Sequence, residues 1–323
     1  MAGFMDANTN FLFRTNIWSR QIKELLLDEL NAMKFVRIIS DFPDGYTINI
    51  PSLGEATQSD FTEGSAIKYS SMDTGNFTFS FDQYKYSANA ISEKFKRDSF
   101  YSQDVIAAFV PRQHRVLMEG VETRIFSVAN SGQTASSTNQ INGADHRWVA
   151  SGSVNGVPAI TFNDFARARY ALIKANVPLN NLVAIVDPST AFVLETQTNV
   201  VNLLSPNRQW GPIVDDGIVT GFKFRYNVFG FDVYISNYLP SIVSETISSV
   251  SSGTSGVCNF FFSAAPGDTL PWVGAFRQMP TVYSEFNKDL QQEEYLTITE
   301  YGFKLYRPEN MVNIISSTAA VPT

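Results

Sequence analysis

Apolar side chains recur at helical spacing near the start of the chain. Between residues 19 and 34 they are Ile22, Leu25, Leu26, Leu30 and Met33. Positions spaced by three and four residues share one face of a helix, so this segment predicts an amphipathic helix. Two alternatives are open: the helix packs on its own domain, or it belongs to an extended arm that packs on a neighbouring copy.

After residue 40 the apolar positions alternate with polar ones. An Asp-Phe-Pro-Asp-Gly turn signal opens this region, because proline presets φ and glycine tolerates positive φ. Alternating segments, which predict strands, follow at residues 46–50, 67–72 and 76–86, and residues 51–64 are polar. A thin ribbon of strands is only marginally stable alone in water. We therefore expect residues 41–86 to project from the body as a ribbon that lies on a neighbouring subunit.

A long helix is predicted over residues 102–129. Its apolar stripe consists of Leu117, Val121, Ile125 and Val128. Its polar residues, which we expect to face water, are Arg112, Glu119, Glu122 and Arg124. Pro111 removes a backbone donor and clashes with the preceding turn, so it predicts either a kink or the restart of a second helix.

The next segment combines a polar excursion with a second helix. Residues 130–157 are rich in Ser, Gly, Thr and Asn, which predicts an irregular surface segment. A helix capped by Asn163 or Asp164 is predicted to reach about residue 175. Its inward residues are expected to be Phe165, Ala168, Leu172 and Ile173.

The last part of the chain predicts mostly strands. Residues 182–186 form an apolar run of the buried type, and Pro188 fits the first turn of a following helix. Further strands are predicted at residues 221–226, 230–236, 257–265, 295–300 and 302–306, with a Ser/Gly-rich loop at 248–256. The elements do not keep a strand–helix–strand rhythm, so the fold class is predicted as α+β.

Composition argues for a folded protein that does not bind nucleic acid specifically. The chain has 323 residues, of which 44% are hydrophobic and 17% charged, enough for one large domain or two modest ones. It carries 24 basic and 31 acidic residues, and the basic stretch Lys94-Phe95-Lys96-Arg97 is expected to be a solvated face. An acidic wall facing DNA would keep the duplex from adhering to it.

Cysteine usage and hydropathy give further expectations. Cys258 is the only cysteine, and it lies in an apolar run, where a small buried hydrophobe is expected. The first ten residues lack the pattern of a secretory signal, and no apolar run of membrane-spanning length occurs. We therefore expect folding in a reducing cytosol without a membrane partner.

No catalytic, cofactor-binding or metal site is predicted. His114 and His146 are the only histidines, and with one cysteine they cannot build a Cys/His zinc site. The carboxylate pairs Asp215-Asp216 and Glu293-Glu294 are adjacent, so their side chains point to opposite faces of an extended chain. We expect no catalysis from His114, His146, Asp215 or Glu294.

Several motifs occur in an order that resembles a known family. They are Gly45-Tyr-Thr-Ile-Asn-Ile-Pro51, Asp60-Phe-Thr-x-Gly64-x-x-Ile67-x-Tyr69, Phe79-Ser-Phe81-Asp82-Gln83-x-Lys85-Tyr86, Phe165-Ala-Arg-Ala-Arg-Tyr-Ala-Leu172, Leu182-Val-Ala-Ile-Val-Asp-Pro188, Gly230-Phe-Asp-Val-Tyr-Ile-Ser-Asn237 with Leu239-Pro240, and Tyr301-Gly-Phe-Lys-Leu-Tyr-Arg307-Pro308-Glu309. With the long helix between them, these pieces resemble the major capsid proteins of tailed bacteriophages over residues 41–315.

The resemblance implies the Hong Kong 97 shell fold and a structural role. It implies an icosahedral virion shell of pentamers and hexamers, assembled in the host cytoplasm around the phage genome. The implied partners are other copies, scaffolding, portal and decoration proteins, and double-stranded DNA bound without sequence specificity. The implied divisions are an N-terminal arm at 1–40, an extended loop at 41–90, a peripheral domain with the spine helix at 91–160, an axial domain at 161–275 and a return to the peripheral domain at 276–323.

Two alternatives remain beside the capsid interpretation. One is an encapsulin-like compartment shell with the same fold, and the other is a soluble α+β enzyme without a local motif. Some members of the resembled fold join subunits through a Lys–Asn isopeptide bond. Lys68, Lys85 and Asn310 have suitable residue types but cannot be aligned to that chemistry, so no cross-link is assigned. The arm is too short for a fused scaffold, which implies a separate scaffolding protein.

Overall fold

The first elements of the chain form an edge strand, a ribbon and a long helix. The computed structural model describes residues 30–40, 45–98, 102–196, 227–247 and 253–320, apart from positions 31, 55–57, 62, 65, 68, 70–73 and 267. In chain order these elements are a 3-10 helix at Ala32–Phe35, β1 at Val36–Ile38, β2 at Thr47–Leu53, β3 at Thr74–Ser80, β4 at Gln83–Ser92, α1 at Glu93–Asp98 and α2 at Ser102–Ser131.

The remaining elements build the second half of the fold. They are β5 at Arg147–Val149, β6 at Gly152–Val154, β7 at Val157–Ala159, α3 at Phe162–Lys174, β8 at Leu182–Val186 and α4 at Pro188–Thr196. They continue with β9 at Asn227–Val228, β10 at Phe231–Ile235, β11 at Ser241–Glu245, β12 at Thr254–Ser263, β13 at Trp272–Asn287, β14 at Gln292–Leu305, a 3-10 helix at Pro308–Asn310 and β15 at Val312–Ser316. This mixture confirms the α+β class.

Two sheets organise the molecule. The first has the strand order β1-β13-β14-β4, and the second has the order β5-β15-β12-β8-β10-β9, with β11 paired to the start of β12. As predicted, β8 is buried throughout, because it lies in the middle of the second sheet. The predicted helix at Pro188 and the strand at 230–236 are also confirmed. The predicted strand at 221–226 and most of the predicted helix at 19–34 lie outside the described residues.

The ribbon consists of β2 and β3, which pair in antiparallel register from Thr47 opposite Ser80 to Leu53 opposite Thr74. The strand predicted at 76–86 is divided, because the chain leaves the ribbon at Phe81 and enters the first sheet as β4. Within the segment 67–72, the structure describes Ile67 and Tyr69, and neither lies in a strand. The strand predicted there is therefore wrong for these two residues.

The long helix α2 confirms the predicted stripe but corrects two expectations. Leu117, Val121, Ile125 and Val128 are all buried. Glu122 was expected to face water, yet it is fully buried and accepts a hydrogen bond from the Ala32 N–H at 3.2 Å. The helix passes through Pro111 without a break, so the predicted restart is wrong. Pro111 is exposed, so its ring stands on the solvent side of the helix.

The N-cap of helix α3 lies two or three residues before the predicted caps, Asn163 and Asp164. Thr161 is the N-cap, and Asp164 is buried at the third helical position, where it accepts a hydrogen bond from the Thr161 N–H at 2.9 Å. Ile173 is 49% exposed, so its predicted inward position is wrong. The excursion predicted at 130–157 is wrong in part, because β5 is an edge strand of the second sheet and Trp148 is buried in its core.

The strands predicted at 295–300 and 302–306 are one strand, β14, and its partner β13 was missed. The prediction divided β14 at Gly302, because a glycine inside an alternating pattern usually marks a break in the strand. Here it has a packing reason. A Cβ atom at Gly302 would lie 2.3 Å from the Ser80 carbonyl oxygen, so only glycine lets the ribbon base cross the strand.

Candidate assembly surfaces

The titratable residues singled out by sequence do not converge on a catalytic site. His114 is exposed on α2, whereas His146 is buried beside β5. Glu293 pairs with Lys96 of α1, and Glu294 accepts hydrogen bonds from Asn287 and Gln292, so the adjacent carboxylates have separate partners. Asp215 lies outside the described residues. Within the described ranges, no cluster of His, Cys, Asp and Glu is suited to hold a metal ion.

His146 is a packed core residue. Its Nδ1 lies 3.1 Å from the Ala144 carbonyl oxygen, and its Nε2 is buried without a hydrogen-bond partner among the described atoms. Burial lowers the pKa of His146 below its ordinary value of 6.5, and this outweighs the opposing effects of two backbone carbonyls and the Asp145 and Glu309 carboxylates. The neutral imidazole is therefore the form that the fold accommodates.

A pH dependence follows from this lowered pKa. The unfolded chain protonates His146 near pH 6.5, while the folded chain resists protonation, so the stabilisation is present above that pH and declines as the pH falls below it. We expect the free energy of unfolding, measured with urea at pH 8 and pH 5.5, to fall more for the natural chain than for His146→Gln. Equal declines in the two proteins would contradict the account.

Cys258 confirms the expectation of a small buried hydrophobe. It is fully buried in the core between α2 and the two sheets. Burial raises the pKa of the Cys258 thiol to about 11, so the thiol stays protonated at neutral pH and is a poor nucleophile.

One face of the first sheet is covered by α2. On this face Thr297 and Thr299 are buried, and the buried Gln113 of α2 binds β14 at two points. The Gln113 Nε2 donates to the Tyr295 carbonyl oxygen at 3.1 Å, and the Thr297 hydroxyl donates to the Gln113 Oε1 at 2.8 Å. These bonds fix the helix along the strand.

Among the described residues, the base of the ribbon covers one end of the opposite face. Phe79 and Phe81 are buried there against Val273 and Ala275 of β13. An ion pair between Arg124 of α2 and Asp82 joins the helix to the chain just after β3. The base of the ribbon therefore packs on its own subunit.

The other end of that face is open, and we call it the open sheet face. Strand register places Tyr86 opposite Ile298 and Ile298 opposite Thr281, and it places Leu296 opposite Tyr283. Directly opposed residues share one face of a sheet. Tyr84, Tyr86 and Tyr283 are exposed by 62%, 69% and 51%. The result is an aromatic and aliphatic surface that no described residue covers.

A second apolar surface lies at the end of the ribbon. We call residues 54–73, which connect β2 to β3, the ribbon tip. Phe61, Ile67 and Tyr69 of the tip are exposed by 72%, 66% and 94%, and Leu53, the last residue of β2, is exposed by 78%. Exposed apolar groups of this kind mark contacts with other molecules when they cluster.

The matched family model decides between the interpretations. The model described as phage capsid protein matches residues 79–314 of the chain. This chain belongs to the phage capsid protein family. It is a major capsid protein, a structural component of an icosahedral virion shell, and the compartment-shell and enzyme alternatives are not favoured. No curated protein sequence matches it.

Solved structures confirm the Hong Kong 97 fold predicted for this capsid protein. A structure from Mycobacterium phage Che8 has a TM-score of 0.67 at 16% identity and covers 94% of this chain and 97% of its own. The capsid of Cyanophage P-SCSP1u has a TM-score of 0.69 at 13% identity, covering 95% and 94%. The asymmetric unit of the Cyanophage Pam1 capsid has a TM-score of 0.67 at 14% identity, covering 99% and 100%.

Two further observations bear on the sequence expectations for this capsid protein. Asn310 is buried, and its amide donates to the carbonyl oxygens of Ser263 and Thr269 while its oxygen accepts from the Ser263 N–H. These bonds give Asn310 a structural role within its own subunit. Among the described helices, none is both long and apolar enough to cross a membrane.

The open sheet face was missed by sequence reasoning, although one signal for it was present. Tyr84, Tyr86 and Ala88 alternate along β4, which marks one face of a strand. The sequence could not show that this face stays uncovered, because β13, whose Tyr283 completes it, was not predicted.

Proposed function

We propose that copies of this capsid protein close into a shell of pentamers and hexamers by placing each ribbon tip on the open sheet face of a neighbour. The observation that carries the proposal is the pairing of two exposed apolar surfaces on one folded subunit. The subunit's own ribbon tip does not cover its open sheet face, because Phe79 and Phe81 tie the ribbon base to the other end of that face. A contact between two different surfaces is heterologous, and such contacts close into rings when the rotation allows it.

We propose that the contacts are individually weak and collectively durable. Each subunit would donate one ribbon and receive another, so every copy takes part in two ribbon contacts at once. The formal net charge of −7 favours soluble free subunits and a lumen that repels DNA phosphates. The proposed division of the chain is the one implied by resemblance: arm at 1–40, extended loop at 41–90, peripheral domain at 91–160, axial domain at 161–275 and return at 276–323.

The proposal includes partners and a place of assembly. Separate scaffolding and portal proteins, a decoration protein and packaged double-stranded DNA would meet the shell, which would assemble in the host cytoplasm. No turnover is proposed for His114, His146, Asp215 or Glu294. Two observations support this structural role. Glu293 and Glu294 have separate partners, and His146 is buried whereas His114 is exposed.

A substitution on the open sheet face tests the receiving half of this contact. Tyr86→Arg places a charge on an exposed strand position, so we expect the free energy of unfolding to change by less than about 0.5 kcal/mol. Shell formation should be lost, because a neighbour's apolar tip cannot desolvate the guanidinium without a partner. Urea unfolding and sedimentation velocity measure the two effects.

The matched control is Lys85→Ala on the same strand. Lys85 is exposed on the opposite side of β4, since it is paired with Thr299 of the face that α2 covers. We expect this variant to form shells as the natural chain does. Shells of normal yield from Tyr86→Arg would show that the open sheet face is not the receiving surface.

A further inference from the structure

Five residues form a ring between the end of α2 and the edge of the second sheet. Asn313 of β15 and Arg147 of β5 are directly opposite each other in a parallel pair. The Arg147 Nη1 donates to the Thr134 carbonyl oxygen at 3.3 Å, and Thr134 follows Gln133 in the chain. The Gln133 N–H donates to the Asn130 carbonyl oxygen at 3.2 Å, and the Asn130 Oδ1 accepts from the Asn313 Nδ2 at 3.2 Å. The ring is therefore closed by strand register, hydrogen bonds and one peptide bond.

Three members of this ring carry a buried polar atom without a hydrogen-bond partner among the described atoms. The atoms are the Arg147 Nε, the Gln133 Oε1 and the Asn313 Oδ1. The residues themselves are exposed by only 1%, 7% and 0%. Buried polar groups of native proteins are paired with protein or with ordered water, because an unpaired group costs free energy. The three atoms therefore require a partner that the described residues do not supply.

The three atoms border one space between α2 and the second sheet. Met311 and Ile315 pack in the core beside α2, so Asn313, which shares their face of the extended chain, projects towards the helix. Arg147 shares this face because it is directly opposite Asn313. Gln133 reaches the same segment from the end of the helix, since its Nε2 donates to the Met311 carbonyl oxygen at 3.2 Å.

The chemistry of the three atoms indicates the kind of ligand that they bind. The Arg147 Nε is an N–H donor, whereas Gln133 and Asn313 present amide oxygens, which only accept. A cation would face the guanidinium, and an anion would face two acceptors, so neither suits the space. The charge of Arg147 is already balanced, because its Nη2 donates to Glu245 at 2.7 Å. Water both donates and accepts, and buried water in proteins makes about three hydrogen bonds.

We propose that ordered water occupies this space and bridges the Arg147 Nε, the Gln133 Oε1 and the Asn313 Oδ1. The water accepts from the Arg147 N–H and donates one hydrogen to each amide oxygen, so that all three groups are satisfied. The site lies within one subunit, so the inference is independent of the proposed shell.

The water completes the junction between the long helix and the second sheet. Protein groups bridge this junction directly where Asn130 binds Asn313 and where Gln133 binds Met311. A water-mediated hydrogen bond is nearly as favourable in enthalpy as a direct one. We therefore expect the bound water to stabilise the junction and to be present both in the free subunit and in the shell.

A structure of the natural chain, at a resolution that shows ordered water, tests the site directly. The expected result is density at hydrogen-bond distance, about 2.7–3.2 Å, from the Arg147 Nε, the Gln133 Oε1 and the Asn313 Oδ1. A space without such density, or one in which the three atoms bond to protein groups, would overturn the inference and leave the proposed shell intact.

Substitution of Asn313 provides a second readout. Asn313→Leu removes one acceptor, and its larger side chain fills the space, so the free subunit should lose slowly exchanging water in magnetic relaxation dispersion of the water signal. We also expect the folding equilibrium constant to fall roughly tenfold, because the Arg147 Nε and the Gln133 Oε1 stay buried without a partner.

The matched control is Asn163→Leu, the same change at an exposed position in the first turn of α3. This variant should keep the slowly exchanging water of the natural chain. Equal amounts of such water in Asn313→Leu and in the natural chain would contradict the inference. If Asn313→Leu does not fold, the density in the natural chain decides alone.

Discussion

Deletion of the ribbon tip is expected to leave a folded subunit that no longer forms closed shells. Leu53 pairs with Thr74, so residues 54–73 can be replaced by Asn-Gly, a turn that closes a two-residue hairpin. The ribbon base keeps its contacts with Val273 and Ala275, and the free energy of unfolding should change little. Assembly should fail because the deletion removes the exposed apolar residues of the tip. Sedimentation and electron microscopy, with scaffolding protein supplied, measure the result.

A full-length control separates the tip's chemistry from its length. Replacing Phe61, Ile67 and Tyr69 together with serine keeps the connection intact and removes its apolar surface. We expect this variant to behave like the deletion. The polar stretch in the sequence begins at residue 51, but the deletion begins at residue 54. Residues 51–53 are kept because they belong to β2 and pair with β3. Normal shells from either variant would show that the tip does not hold neighbours together.

Removing one partner of the buried ion pair in the second sheet is expected to produce the largest loss of stability. Arg147 of β5 donates to Glu245 of β11 at 2.7 Å, with side-chain exposures of 1% and 12%. Arg147 also donates to the Thr134 carbonyl oxygen at 3.3 Å. Glu245→Leu leaves the guanidinium buried without its counter-charge, which costs about 3–5 kcal/mol. Urea unfolding of the free subunit measures this loss.

Two further variants identify the cause of that loss. Combining Glu245→Leu with Arg147→Met removes both charges, so we expect most of the stability to return. Glu300→Leu breaks the ion pair of Glu300 with Arg277, whose side chain is 45% exposed, and should cost less than about 1 kcal/mol. A double variant as unstable as the single one would show that shape, and not charge, explains the effect.

Local patterns predicted the elements whose apolar spacing is visible within a single short segment. The stripe on α2 and the apolar run of β8 are properties of short segments, so the sequence contains enough information to place them. The ordered motifs predicted the shell fold for the same reason, since each is a short stretch whose order along the chain is readable.

Errors arose where contacts distant in sequence decide the outcome. Glu122 has the pattern of a solvent-facing residue, but the Ala32 N–H and the Ser236 hydroxyl meet it from elements far away in the chain. Gly302 has the pattern of a strand break, but the ribbon crosses it. The open sheet face combines β4, β13 and β14, so no local pattern could reveal that its far end stays uncovered.

Electron cryomicroscopy of the natural chain assembled with its scaffolding protein tests the central claim most directly. The account predicts closed icosahedral particles of pentamers and hexamers, in which Tyr69 of each ribbon tip lies against Tyr86 and Tyr283 of a neighbouring subunit. A chain that remains monomeric at high concentration with scaffold supplied, or a shell in which the ribbon tip lies away from the open sheet face, would contradict it.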